Sequence, residues 1–286
     1  MANLKEIRNR IGSVSSTMQI TSAMKMVSAA KLKKAQDAIT TMRPYAEKLT
    51  QLLQDLSASM EGDLAGKYSK QREVQNVLIV VVTSNRGLCG AFNSNVIKEV
   101  GTLINTEFKG KNVELLTIGK KGNDILRKNH NILKNESQVF DNLTYENVSA
   151  VTQYIMDLFA EEKYDVVKVV YNQFKNAATQ IVIKEQLLPI VAPTQTQQVA
   201  SDYIFEPSKE QIIEELIPRM LKTQLFKAVR DSFAAEHGAR MTAMHKATDN
   251  ATALRNQLKL TYNKARQAAI TGEILEIVGG AEALNN

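Results

Sequence analysis

Cysteine is nearly missing from this chain, where Cys89 stands alone. A single thiol excludes an internal disulfide, and no grouping of Cys89 with the three histidines has metal-ligand spacing, so structural zinc is excluded too. Long apolar runs are also missing. No stretch approaches the roughly 18 consecutive apolar residues of a membrane span, and the opening MANLKEIRNR is charged and helical where a secretory leader would carry an apolar core. The chain is expected to stay where it is made. Phosphate-loop signatures are lacking as well: Gly87 and Gly90 do not complete GxGxxG, no GxxxxGK precedes a Ser or Thr, and the GKKG of Gly119 to Gly122 is followed by neither. The glycines near Cys89 are read as permitting a tight turn. Cys89 itself, with no His or acid nearby in sequence, is read as a small packed side chain and not a nucleophile.

What is present begins with two helical ends. Leu4, Ile7, Ile11, Val14 and Met18 recur at intervals of 3, 4, 3 and 4, and Met42, Ala46, Leu49, Leu53, Leu56 and Met60 repeat the rhythm. Ala247, Ala251, Leu254, Leu258, Thr261, Ala265 and Ala268 give the same heptad seam near the other end, with Ile270, Ile274, Ile277, Ala281 and Leu284 continuing it in a shifted phase. At about 1.5 Å per residue the two helices would reach about 90 and 115 Å. Neither can bury its stripe alone, so an intramolecular antiparallel coiled coil is expected, with pairing between two copies as the alternative. Pro44 and Pro218 should bend these helices without ending them. Gly12, Gly238 and Gly272 each cost about 1 kcal/mol relative to Ala, and Gly279 and Gly280 should fray the tip.

The middle of the chain alternates strand and helix. VLIVVV, Val77 to Val82, is apolar throughout, as in a strand covered on both faces. The loop TSNRGLCGAFN follows, then a helix from Ser94 to Phe108, a strand from Val113 to Ile118, a short helix from Gly122 to Asn129 and an amphipathic helix from Tyr145 to Glu161. Strands over Val166 to Tyr171 and Ile181 to Ile190 complete at least four, which predicts an open, doubly wound sheet. The fold class is therefore α/β: a long antiparallel coiled coil of the N- and C-terminal helices plus an open Rossmann-like α/β domain. Its expected divisions are 1–60, 75–195 and 208–286.

Charge is placed unevenly. The net +6 resides between Met1 and Lys48, where nine Lys or Arg face only Glu6, Asp37 and Glu47. Tyr45 is the one aromatic residue there, so base stacking has no platform, and an acidic protein surface is favoured over nucleic acid as the partner.

Specific motifs add a resemblance. The tail ITGEILEIVGGAEA (Ile270 to Ala283), YNKARQAAIT (Tyr262 to Thr271), ARMTAMHKATDNA (Ala239 to Ala251), RIGSVSSTMQITSAMKMVSAAKL (Arg10 to Leu32) and TSNRGLCGAFN resemble, in order, the gamma subunit of F-type ATP synthases. The resemblance covers essentially the whole chain. It implies a central stalk that couples rotation of the membrane c ring, driven by proton flow, to conformational cycling of three alpha and three beta subunits. It also implies an epsilon-type partner, membrane contact only through the c ring, no cofactor, and no catalysis by this chain itself.

Residue by residue, Lys25, Lys31, Lys33 and Lys34 match the helix that faces acidic beta loops, with Met24 and Met26 in the adjoining AMKMV stretch. Arg266 and Gln267 match the pair that meets a beta catch loop, where a guanidinium fork holds oxygens directionally as a lysine cannot. Arg240, Thr271, Glu273 and Glu276 match positions tied to stalk stability and coupling, although Glu273 or Glu276 could equally pair internally with Lys264 or Arg266. Tyr203 and Glu206, in DYIFEPS, match the segment that meets the c ring and epsilon. Three departures stand out: Asn85 where the family usually has Asp, Gly272 for a common Gln, and His245 for a common Lys. The lost charge at Asn85 weakens any expectation of an ion pair from that loop. No cysteine pair exists for a plastid-type redox switch, and with no transit peptide the expected location is the cytoplasmic side of a bacterial plasma membrane. The competing classes are a nucleotide-dependent α/β enzyme, which lacks its phosphate loop, and a basic coiled-coil nucleic-acid scaffold.

Overall fold

The computed structural model describes residues 4–58, 68–190 and 209–284. In chain order these form α1 (Leu4–Ala58), β1 (Asn76–Val82), α2 (Phe92–Thr106), β2 (Asn112–Ile118), α3 (Lys120–Leu126), β3 (Asn131–Asn135), a 3-10 turn (Ser137–Phe140), α4 (Tyr145–Ala160), β4 (Val166–Phe174), β5 (Gln180–Leu188) and α5 (Lys209–Leu284). Pro44 and Pro218 lie inside α1 and α5, which continue through them. The expected fraying at Gly279 and Gly280 does not occur, since α5 stays helical through both to Leu284. A cost of about 1 kcal/mol per glycine falls there on a turn otherwise built from Ile, Val, Ala and Glu.

Two compact units divide the chain: Ala29–Arg240, and Met1–Ser28 together with Met241–Asn286. The first contains one sheet in the order β3-β2-β1-β4-β5. β1 pairs in parallel with β2 and β4, and β2 with β3, whereas β5 runs antiparallel to β4. That last pairing departs from a wholly wound sheet. Five residues, 175–179, join β4 to β5, too few for the crossover that a parallel neighbour needs. β3, absent from the strands read in the sequence, is a short edge strand whose only apolar pair, Ile132 and Leu133, gives too little periodicity to reveal it.

β1 is buried on both faces, which accounts for its unbroken apolar run. Leu78, Val80 and Val82 pack with α4 and with Ile217, Leu221, Leu225 and Val229 of α5. Val77, Ile79 and Val81 pack with Val96, Val100 and Leu103 of α2 on the opposite face. Thr144 caps α4 by accepting a bond from the Asn147 amide at 3.4 Å, and the helix buries Val148, Val151, Ile155 and Phe159 at helical spacing. Ring contacts bind α5 to this layer: Phe226 meets Tyr145 edge-on at 5.6 Å, and Phe233 stacks on Phe140 at 6.2 Å.

The other unit is an antiparallel helix pair. Arg8 donates to Tyr262 Oη at 2.8 Å, Thr252 to Met18 Sδ at 3.3 Å, and the Thr21 and Thr248 hydroxyls lie 2.8 Å apart. Leu4, Ile7, Ile11, Val14 and Met18 are buried or half-buried, as their spacing predicts. On α5 the seam needs correction. Ala247, Ala251, Leu258 and Ala265 are buried or half-buried as read, with Thr248 beside Ala247, but Arg255, Tyr262 and Ala269 occupy the alternate positions in place of Leu254, Thr261 and Ala268. Leu254 is 40% exposed. Apolar spacing is off by one residue at Arg255 and Tyr262, polar side chains that bond across the seam to Met18 and Arg8. Ile270, Ile274 and Ile277 are exposed and continue no in-chain seam. In the three bonded pairs above the two numbers total 269 or 270, so Leu4 is the last described residue that α1 can offer.

Candidate functional site

The glycine-bearing loop after β1 is braced by its own side chains and by α5. Asn93 Oδ1 accepts from the Ser84 amide at 2.9 Å, and Ser84 Oγ donates to the Arg86 carbonyl at 2.7 Å. Leu88 holds a left-handed φ of 63° with its side chain exposed. Arg240 closes the arrangement from α5. Its guanidinium pairs with Glu236 at 2.6 Å and donates to the Arg86 and Gly87 carbonyls at 2.9 and 3.2 Å. Burial pushes the Glu236 carboxyl above the usual carboxylate range, against the opposing pull of Arg240, with Lys31 and Arg86 pulling the same way. Arg240 is thus a buried clamp on the loop. Neither Glu236 nor Arg86 is conspicuous in sequence, because an i,i+4 acid–base pair on a helix usually marks a solvated face.

Cys89 is buried beside Ser84 and Asn93, and burial raises its thiol pKa, which suits a packed side chain and not a nucleophile. His237, next to Glu236, is also buried, edge-on to Phe233 at 4.5 Å. Neither of its ring nitrogens has a hydrogen-bond partner, and burial, then Arg240 and Lys31, depresses its pKa to about 4.

A nucleotide would need the amides at the start of α3, and these are engaged. Asn85 Oδ1 accepts from the Lys120 amide at 3.0 Å, the Ser84 carbonyl from Lys121 at 3.0 Å, and Thr83 Oγ1 from Gly122 at 2.9 Å. Gly119 has a φ of 121°, and a Cβ there would lie 2.2 Å from the Thr83 carbonyl oxygen. The glycines of GKKG therefore serve close packing. Asn85 also donates to the Ser137 carbonyl at 2.9 Å, a bond that an ionised aspartate could not make. The departure at 85 exchanges a charge for an amide that both accepts and donates.

The remaining sequence-selected residues are dispersed. Lys31, Lys33 and Lys34 are exposed, whereas Lys25 and Met24 are half-buried and Met26 is exposed. Arg266, Gln267, Thr271, Glu273 and Glu276 are exposed on α5, and among the described residues no ion pair joins Glu273 or Glu276 to Lys264 or Arg266. His245 pairs with Asp249 at 3.3 Å on the surface. Tyr203 and Glu206 lie outside the described residues. Beyond Arg266 the helix presents Ile270, Ile274, Leu275, Ile277 and Val278 outward, on one broad face.

Comparison with known proteins adds identity to this geometry. Residues 3–284 match a family described as ATP synthase. The ATP synthase gamma chain of Flavobacterium johnsoniae is 69% identical over 288 residues, covering 100% of both chains. A chain in the central stalk and c ring structure of the Tetrahymena thermophila mitochondrial ATP synthase aligns with a TM-score of 0.62 and 26% identity, covering 80% of this chain and 99% of that one. A chain of the Euglena gracilis mitochondrial ATP synthase rotor shares the fold, with a TM-score of 0.68 at 21% identity over 93% of this chain and 98% of that one.

Proposed function

As this chain belongs to the family of ATP synthase gamma chains, we propose that it is the central rotor stalk of a proton-translocating F-type ATP synthase. The observation that carries the reading is the end-to-end match to a gamma chain at 69% identity. The antiparallel pairing of its terminal helices is what a shaft requires. In operation, rotation of the c ring turns the stalk, and the stalk drives three alpha and three beta subunits through their conformations. The complex has ATP synthase activity, whereas this chain by itself neither holds nor hydrolyses nucleotide. Engagement of the α3 amides by Thr83, Ser84 and Asn85 supports that division.

The contacts divide by chemistry. Lys25, Lys31, Lys33 and Lys34, with Met24, meet acidic loops of the beta subunits, and exposed ion pairs of about 0 to 1 kcal/mol each break and reform cheaply as the shaft turns. Arg266 and Gln267 make the directional contact with a beta loop, and Thr271, Glu273 and Glu276 lie on the same exposed stretch. Arg240 acts from inside, by holding loop 84–93. Tyr203 and Glu206 meet the c ring and epsilon. The working divisions are 1–60, 75–195 and 208–286. No helix among the described residues is long and apolar enough to cross a membrane, and the chain sits peripherally, on the cytoplasmic side of a bacterial plasma membrane, through the c ring.

Affinity purification of the tagged chain from its cells, with mass spectrometry of what accompanies it, tests this reading. Alpha, beta and epsilon subunits are expected. Their absence, or micromolar ATP binding by the isolated chain in calorimetry, would overturn it.

A further inference from the structure

Along the β3 edge of the Ala29–Arg240 unit lies a cavity of about 450 Å³, remote in sequence from the residues assigned to rotation. Its walls come from β3 and the 3-10 turn (Lys134, Glu136, Gln138) and from one face of α4 (Asn147, Val151, Tyr154). Glu136 is the unusual member. It is 5% exposed, its amide is tied to the Thr117 carbonyl at 2.8 Å, and it lines the cavity between Lys134 and Gln138. One carboxylate oxygen takes the Lys134 ammonium at 2.6 Å and the other takes the Gln138 amide at 3.3 Å. The Lys134 ammonium also lies 5.0 Å from the centroid of the Tyr154 ring.

A buried carboxylate beside an aromatic face is the recognition pair for an organic cation. Here the cation is supplied by the chain's own lysine, whose side chain is 51% exposed on a flexible stem. A lysine held half in water makes one point contact and exchanges readily, whereas a guanidinium can take both oxygens of Glu136 in a fork while stacking on Tyr154. The cavity has room for it, and a displaced Lys134 returns to solvent at little cost because most of its stem is already hydrated.

We propose that this cavity binds a guanidinium group, the side chain of an arginine presented by a docked protein, with Glu136 and Tyr154 as its recognition residues and Lys134 as an internal stand-in. Two features favour a protein source over the free amino acid. The cavity lies beside an edge strand that can receive another chain, and a free arginine would bring an α-carboxylate toward Glu136.

The test is a titration of the full chain, with labelled tyrosine rings followed by NMR, using N-acetyl-arginine amide, N-acetyl-lysine amide and L-arginine as probes. The Tyr154 ring signal is expected to shift saturably with the arginine amide and at least threefold more weakly with the lysine amide. Glu136→Gln abolishes the response. Lys134→Ala strengthens arginine-amide binding severalfold, because it removes the competitor and leaves Glu136 in want of a cation. Weaker binding in Lys134→Ala would mark an anion site and overturn the proposal, as would a response that survives Glu136→Gln or no saturable shift at all. Tighter binding of L-arginine than of its amide would overturn the protein source.

Discussion

Arg240 shows how one side chain can serve several neighbours at once. Its fork satisfies a buried carboxylate and two loop carbonyls, a set of acceptors that a lysine's single ammonium cannot span. Arg240→Met leaves Glu236 buried without its partner and should destabilise the isolated chain by about 3 kcal/mol or more in urea unfolding, while Arg240→Met with Glu236→Gln should cost less than the two single changes together. His237 offers a second test through pH. Its folded pKa of about 4 lies below the 6.5 of an unfolded histidine, so its contribution is fully present above pH 6.5 and is lost as pH falls through 4. That contribution is at most about 3 kcal/mol. Between pH 7 and pH 4 the urea midpoint of wild type should fall further than that of His237→Phe, because phenylalanine takes no proton. An unchanged gap between the two curves would remove His237 from the acid sensitivity.

At the scale of elements, glycines of one residue type carry opposite consequences. Gly119→Ala drives a Cβ into the Thr83 carbonyl at a left-handed φ and should cost several kcal/mol. Gly101, inside α2 with nothing within 4 Å of a Cβ, should gain up to about 1 kcal/mol as alanine. Thermal unfolding of the two variants checks both signs. Gly238 explains its own helical cost, since a Cβ there would lie 3.3 Å from Ala177 in the β4–β5 turn. These differences mark the boundary of what sequence could reveal. Strands and helices with strong periodicity were legible: β1, β2, α2, α4 and the Leu4 to Met18 seam of α1 all stand where apolar spacing puts them, whereas Ala46, Leu53, Leu56 and Met60 of the second stretch lie outside the described side chains. β3, the antiparallel sense of β5 and the true α5 seam were not. The α5 seam depends on a partner 237 residues away, where an apolar template prefers Leu254 to the Arg255 that donates to Met18; β3 has too short an apolar run to register, and the sense of β5 follows from its five-residue link to β4, which apolar spacing does not weigh. The same reasoning covers the candidate site: motif residues were recognisable, but the Glu236–Arg240 clamp and the Glu136 cavity exist only after folding.

For the whole molecule, exposure separates function from folding. Arg266 and Gln267 are exposed and, among the described residues, their side chains enter no hydrogen bond or ion pair, so replacing both with alanine should leave the urea midpoint unchanged while lowering ATP synthesis by assembled complexes at least several-fold. Unchanged synthesis at normal complex abundance would exclude the pair from coupling. The terminal pairing has a further consequence, for synthesis of the protein itself. Arg8 bonds to a residue 254 positions later. At roughly 5 to 20 residues per second on the ribosome, its partner emerges some 10 to 50 s after it does. During that interval the half-apolar seam of α1 has no native cover. The first helix made is the last to find its place, which makes the nascent chain a natural client for holding chaperones.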